Sequence, residues 1–529
     1  MSKLDKVLDQ YSGRVYKNRK AHMLEKTDEV QEIAANTRAV PGIMTNRGCC
    51  YAGCKAVVIA PIKDAAVITH GPIGCGFYSW GTRRNKARTT EDKKNFVEYC
   101  LSTDMQESDI VFGGEKKLRQ AIKEAVEIFD PEAIMICSTC PVGLIGDDIQ
   151  AVAAEAEKLY NRQVLAFSCE GYKGVSQSGG HHIANNNLMQ NVIGTQDRPA
   201  KKFSVNILGE YNIGGDAWEI ERILERIGYE IVASIPGDGS IVDIRSAHEA
   251  NLNLVQCHRS INYVAEMMKD KYGVDWLKVN FIGVKATIQT LREIAKYFGD
   301  EELIQRTEEV ISEEVAEIIE EMEHYKSKLK GKTAALFVGG SRSHHYQSLL
   351  QDLGVETILA GYEFGHRDDY EGHAVRPFIK EDADSKNIES ITVEKDPEKY
   401  KMYLTEEQYA KLKKEMPNLN NYDGMINEMK EGSIIVDDLN HFETEVFLKV
   451  LKPDIFFSGI KDKYVSQKDG ILSRQLHSYD YSGPYAGFNG AVNFARDVTM
   501  GVYTPAWGYI RAPWKSVPTL EGKVVGGEA

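Results

Sequence analysis

Nine cysteines are spread over 529 residues, and three of them lie in loops rich in glycine and proline: Cys49 in NRGCCYAGC, Cys75 in HGPIGC and Cys140 in STCPVGLIGDD. Glycine lets a backbone close on a bulky inorganic group, and thiolate sulfur is the ligand that iron–sulfur clusters and soft metals require. One such cysteine reads equally well as an inert core thiol. Three in similar loops point to a cluster. Their spacing matches neither a zinc ribbon nor a ferredoxin run, and a site completed by another chain accounts for the shortfall. Cys257 stands apart in LNLVQCHRS, and His477 is a single imidazole in LHSYDYSGPYAGF. Each alone also fits a buried structural residue. With Arg342 in GGSRS and Lys461 in SGIKDK they could line one cavity holding a metal centre and an anionic ligand. The stretch EGYKGVSQSGGHHIANN adds Gln177, an amide, and His181, an imidazole able to pass protons near neutral pH. A capping loop with a structural histidine pair is the plain alternative for that stretch. GGSRS is either a tight turn into a helix or a set of amides suited to anionic sulfides or carboxylates.

These residues need elements to hold them. Short β-branched runs, AIMICSTCP, FSVNILGEYN, LNLVQCHRS, AALFVGGSRS and DIFFSGIKDK, alternate with longer helical patterns, which is the rhythm of parallel α/β domains. Ligands in such sheets bind at the carboxyl ends of strands, where Cys140, Cys257, Gly339 to Arg342 and Lys461 fall. The length, with 42% hydrophobic and 27% charged residues, excludes a disordered chain and predicts two to four packed domains. A balance of 64 − 78 = −14 argues against binding a phosphate backbone or an anionic membrane surface. No apolar run reaches the roughly 18 to 20 residues of a membrane span, and MSKLDKVLDQYSGRVYKNRK lacks an apolar signal core, so a cytoplasmic protein is expected. Cysteines this sparse and odd in number are no disulfide scaffold. EELIQRTEEVISEEVAEIIEEMEHYKSKLKG reads as a solvated helix linking domains, with Leu303, Ile304, Val310, Ile311, Val315, Ile318, Ile319 and Met322 as one apolar stripe. Gly331-Lys332-Thr333 imitates the tail of a P-loop, but Lys326 stands where the motif needs glycine and the strand follows it, so no nucleotide site is expected. Residues 374–430 are polar and weakly patterned, as a surface insertion would be.

RGCCYAG, HGPIGC, STDMQESDIVFGGEKKL, STCPVGLIGDD, CEGYKGVSQSGGHHIAN, LGEYNIGGDAWE, LVQCHRSINY, GYEFGHRDDY and HSYDYSGPYAGF occur in this order between about residues 30 and 510. Together they closely resemble the α-subunit family of nitrogenase molybdenum–iron proteins, and the insertion resembles the extra segment of its clostridial-type subgroup. The resemblance implies three Rossmann-like α/β domains with mainly parallel sheets and a metal cofactor in the cleft between them. These would be residues 1–200 with the P-cluster ligands, 201–330 with Cys257, and 331–529 with the insertion at 374–430, His477 and the C-terminal segment. It implies an α2β2 heterotetramer in which Cys49, Cys75 and Cys140 ligate an eight-iron P-cluster shared with the β subunit. Cys257 and His477 would anchor the iron–molybdenum cofactor, with homocitrate completing the molybdenum sphere and Gln177 and Lys461 close to it. Arg83, His181, Gly339, Gly340, Arg342 and Phe364 would pack against or hydrogen-bond that cofactor. Val57 would cover its iron face, with Ala56 standing where many relatives have glycine. Cys50 and Cys54 would be extra thiols beside the motif. The implied activity is reduction of dinitrogen to ammonia with accompanying proton reduction, using electrons from a separate ATP-hydrolysing iron protein. A vanadium or iron-only nitrogenase subunit and a cofactor-assembly scaffold are the competing readings.

Overall fold

The computed structural model describes residues 2–10, 13, 19–28, 32–34, 48–81, 85–91, 94–174, 176–258, 260–337, 342–362, 379–380, 391–421, 430–459, 462–476 and 479–505. Two short strands come first, β1 (Met23–Glu25) and β2 (Ile33–Ala34). A four-stranded parallel sheet follows, built from β3 (Ala65–His70), β4 (Leu101–Ser102), β5 (Ala133–Ser138) and β6 (Gln163–Phe167) in the order β4-β3-β5-β6. All six residues of β5 are buried, as expected for a parallel strand covered on both faces, and its sequence AIMICS accordingly shows no alternation. One face is covered by the helices Glu115–Phe129 and Ile149–Tyr160, whose Leu118, Ile122 and Val152 pack with Ile134 and Ile136. The second helix starts where Asp148 accepts a hydrogen bond from the Ala151 amide at 2.9 Å, a side-chain cap on an otherwise unpaired donor.

A second four-stranded parallel sheet holds β7 (Ser204–Glu210), β8 (Glu230–Pro236), β9 (Leu252–Val255) and β10 (Asp275–Lys278) in the order β10-β9-β7-β8. Asp64, beside β3, joins it to the first sheet: its carboxylate accepts from the Ile241 amide at 2.7 Å and the Ser240 hydroxyl at 2.6 Å. A third sheet contains β11 (Thr333–Phe337), β12 (Glu356–Tyr362), β14 (Ile434–Asp437), β15 (Ile455–Ser458) and β16 (Leu472–Gln475), while β13 (Ile379–Lys380) pairs with β2. Its order is β1-β14-β12-β11-β15-β16, with β1 antiparallel and the rest parallel. The α/β class expected from the alternating runs is the one found. The N-terminal segment departs from the simple division at residue 200, because β1 lies in the sheet of the last third of the chain.

Two long segments carry more packing than their polar sequences suggest. The helix Glu301–Leu329 packs one face on the helices Asp216–Ile227, Val284–Phe298 and Gly487–Tyr503, while most of its residues stay exposed to solvent, as its single apolar stripe implies. Its buried face takes in Leu303, Val310, Ile311 and Ile318, leaves Ile304 and Ile319 exposed, and includes Glu314. Hydrophobic periodicity passed over Glu314 because its compensation is distant: Arg222 reaches it at 2.6 Å and Arg226 also pairs with it. Within the expected insertion, residues 391–421 are described and cover the β10 edge. Leu404, Met416 and Leu419 are buried, Leu419 bridges Leu277, and the Asn420 amide donates to the Trp276 carbonyl at 2.7 Å. Ile391, Val393, Tyr403, Tyr409 and Leu412 pack partly buried against the same core and help dock the segment. Among the described residues no helix is long and apolar enough to cross a membrane.

Candidate metal-cluster and cofactor sites

Cys49 precedes a π-helix (Ala52–Ile59), Cys75 lies in the helix Ile73–Gly81 that follows β3, and Cys140 is the first residue of the helix Cys140–Ile145 that follows β5. The structure brings these three thiols together. A methyl group placed on Gly171 would lie 3.0 Å from Cys140 Sγ and 3.4 Å from Cys49 Sγ, so a side chain there would crowd both sulfurs. Burial, then the nearby Cys49 and Cys140 sulfurs, raises the Cys75 thiol above its ordinary range, as expected for three sulfurs facing one spot. Cys49 and Cys75 are exposed and Cys140 is half-buried. Around them Ile73, Phe77, Tyr78, Trp80, Leu144 and Tyr172 present large apolar side chains to solvent. A patch of that kind marks an interaction surface.

The π-helix is locked to the helix Gln177–Asn191. A methyl on Gly53 would lie 1.8 Å from the Gln177 carbonyl oxygen, and one on Gly180 would lie 1.9 Å from the Cys50 carbonyl oxygen. Reciprocal glycines let the two backbones touch and fix Val57, buried on one helix, relative to Gln177 and His181 on the other. π-Helical turns are frequent at functional sites.

Cys257 is buried just past β9, against Gly209 of β7, where a methyl would lie 2.6 Å from its Cβ. The segment that follows lies on the His181 helix: the Tyr263 hydroxyl donates to the His181 carbonyl at 2.9 Å and the Asn185 amide donates to the Ser260 carbonyl at 2.9 Å. Tyr211, at the end of β7, shares a hydrogen with Ser260 at 2.6 Å. Burial and the neighbouring Cys257 sulfur push its phenol well above the ordinary range, so it stays neutral. Arg342 completes the wall. Its guanidinium sits 5.6 Å above the Tyr211 ring, donates to Glu210 at 2.6 Å and lies 3.7 Å from Asp216. Burial opposes the charge on Arg342, but Glu210 above all holds its proton. Asp216 accepts from the Tyr485 amide at 2.7 Å, the Ala486 amide at 3.0 Å and the Tyr479 hydroxyl. Burial, followed by repulsion from Glu210, pushes Asp216 up to about 7. Thus Cys257, Arg342 and the His181 helix converge. Arg83, Gly339, Gly340, Phe364, Lys461 and His477 lie outside the described residues.

Two fully buried groupings escaped sequence reasoning. Cys54, expected as an extra thiol beside the first motif, meets Cys137 and Cys169 in a buried trio. His258, His344 and His345 form a second buried set. His258 donates from Nε2 to the Val279 carbonyl at 2.8 Å, and burial holds it and His345 well below the ordinary range for imidazole. The adjacent HH in SRSHHY was the available signal for the second set, but a partner some 85 residues away has none.

The chain that forms these sites matches the family model for nitrogenase component 1 type oxidoreductases across residues 49–503. The chain belongs to that family of enzymes. Within it, the chain is 58% identical over 528 residues to the nitrogenase molybdenum-iron protein alpha chain of Clostridium pasteurianum, covering 99% of both chains. It is 54% identical over 515 residues to the corresponding alpha chain of Methanosarcina barkeri, covering 97% of this chain and 96% of that one. The solved structure of nitrogenase Cp1 at pH 6.5 superposes with a TM-score of 0.93 at 58% identity, over 97% of this chain and all of that one.

Proposed function

We propose that the chain is the α subunit of a molybdenum nitrogenase, a cytoplasmic α2β2 heterotetramer that reduces dinitrogen to ammonia with hydrogen evolution, fed by a separate ATP-hydrolysing iron protein. The observation that carries the reading is a pair of thiol sites at two depths: Cys49, Cys75 and Cys140 gathered at an exposed apolar surface, and Cys257 enclosed by this chain alone. The donor sets fit the groups this implies. Three convergent thiols on an uncovered face suit half of a P-cluster whose other ligands come from the β subunit, and Gly171 leaves the space a cluster needs. One buried thiol beside a paired cation suits a single anchor for the iron–molybdenum cofactor, with His477 as the other.

When bound, these groups supply electron storage and the metal surface on which dinitrogen is reduced. The protein's share is positional and electrostatic. Arg342, kept charged by Glu210, offers a fixed donor toward an anionic ligand, and Gln177 and Lys461 serve the homocitrate side. Gly339, Gly340, Arg83 and Phe364 would pack against the cofactor, and Val57, on its rigid π-helix, would limit access to the iron face. His181 can both donate and exchange a proton, whereas an amide of similar reach only donates. His181→Gln is therefore expected to retain the cofactor and to lose most ammonia formation while hydrogen formation persists. Equal loss of both products would reduce His181 to structural support. The decisive experiment for the whole reading is elemental analysis of the purified α–β complex. Molybdenum and homocitrate in equal amount per α chain, with iron for both clusters, are expected. Vanadium in place of molybdenum, or a complex that releases its cofactor to another protein without forming ammonia, would overturn it.

A further inference from the structure

Beneath the surface thiols lies a second set. Cys54 comes from the π-helix, Cys137 from β5 and Cys169 from just past β6; all three are wholly buried, and their sulfurs lie within 4.8 Å of one another. Each sits on the same short chain segment as one wall of the outer site: Cys54 is five residues from Cys49, Cys137 three from Cys140, and Cys169 two from Gly171. The backbone is fixed there, since the Cys169 amide donates to Ser138 Oγ at 3.1 Å. Lys55, also buried, brings a positive charge close to Cys137. Although burial alone would raise Cys137, hydrogen bonds from Cys169 and Cys54, together with Lys55, hold it well below the ordinary thiol range.

We propose that Cys54, Cys137 and Cys169 bind one closed-shell thiophilic metal ion of the Cu(I) type in a three-sulfur site that pins the segments bearing the outer thiols. With thiolate–metal bonds of about 2.3 Å, three sulfurs around one ion stand about 4 Å apart, which the observed spacing meets with small side-chain adjustment. The ligand type selects soft ions. The ligand number selects among them, because structural zinc takes four protein ligands and the set holds three among the described residues. Lys55 offsets part of the negative charge that three thiolates would bring into the core. Binding displaces the thiol protons of Cys54 and Cys169 to solvent and changes no oxidation state, so affinity rises with pH.

The other donor clusters lack this charge logic. Lys278 and Arg342 face His258 and His345 and oppose a cation, while Asp197 beside His248 and Glu249 already holds Lys399 at 2.8 Å.

The test is copper content of the anaerobically purified α–β complex, isolated from copper-supplemented cells and also titrated with Cu(I) against bicinchoninate. One copper per α chain is expected by either route with iron content unchanged, and X-ray absorption should report three sulfurs at about 2.2–2.3 Å. Cys54→Ser, which keeps shape and removes the soft ligand, should lower copper retention at least tenfold while assembly and iron content persist. If that variant does not assemble, the wild-type spectrum decides alone. Copper no higher than in Cys54→Ser, copper gained only as iron is lost, or a coordination number other than three would overturn the proposal. None of those outcomes bears on the assignment of Cys49, Cys75, Cys140 or Cys257.

Discussion

Around Cys75 the helix Ile73–Gly81 turns Phe77 and Tyr78 outward, 54% and 71% exposed, whereas around Cys257 the neighbouring Tyr211, Glu210, Asp216 and Arg342 are all buried. The first region exposes apolar area that a lone chain would hide, at about 25 cal/mol per Å². The second region encloses charges, which is tolerated only because each has a partner: Arg342 has Glu210, and Asp216 has two backbone amides and a tyrosine hydroxyl. One site is thus unfinished at its rim and waits for another chain, while the other is finished from within. A perturbation of the first should therefore be felt in assembly, and a perturbation of the second inside the subunit.

The largest effect is expected from Cys257→Ala. It removes an anchor itself, so ammonia formation should fall by more than the roughly 10–100-fold typical of changes to groups that merely support a ligand. Molybdenum should fall with it, and iron at the shared site should stay. Normal molybdenum in this variant would break the contrast between the regions. Cys140→Ala should do the reverse. It strips iron from the surface site and weakens α–β association by roughly tenfold or more, because a bridging group contributes assembly free energy. Sedimentation of the variant at falling concentration checks this. An unchanged tetramer with intact iron would mean that the apolar rim alone joins the chains.

How far these regions could be read from residues differs for a physical reason. The outer thiols were legible because their loops carry local signatures: glycine at 48 and 71, proline at 72 and 141, a strand just upstream of Cys75 and Cys140. The parallel α/β class was legible because buried strands such as β5 write continuous apolar runs. Cys54, Cys137 and Cys169 were not legible as a group, since they come from three elements whose meeting depends on sheet order. Nor was Glu314, whose partners Arg222 and Arg226 are 92 and 88 positions away. The order of Glu210 and Asp216 around Arg342 likewise exists only once β7, the helix that follows it and the helix after β11 are placed. Periodicity reports which face an element buries; it does not report which distant charge makes burial of a carboxylate acceptable.

The internal region can be sharpened by breaking its central pair. Glu210→Gln leaves Arg342 with the Gly209 carbonyl at 3.3 Å and, as its charged partner, the more distant Asp216, and losing one partner of a buried pair costs about 3–5 kcal/mol. The presence of Asp216 at 3.7 Å argues for the lower end. A matching drop in the denaturant midpoint of the complex is expected, partly restored in Glu210→Gln/Arg342→Met. Stability unchanged by Glu210→Gln would mean that the enclosure is less dry than its burial indicates.

The smallest effect concerns pH. Asp216 titrates at about 7 in the folded chain, against 3.8 for an ordinary aspartate, because burial and then Glu210 disfavour its charge. Between those values the folded state binds a proton that the unfolded chain has lost. The stability this contributes is fully present below pH about 4 and is lost as pH rises through 7. Asp216→Asn imitates the protonated form and does not titrate. Relative to the wild type, the variant should therefore gain by about 1–2 kcal/mol between pH 5.5 and pH 8, whatever its absolute stability. Denaturant midpoints of both proteins at the two pH values give the difference directly. A gap that stays constant would show that Asp216 is already charged at pH 5.5, so that Arg342 and the two amides outweigh Glu210. In that case the inner region would be held by attraction of both carboxylates to one cation.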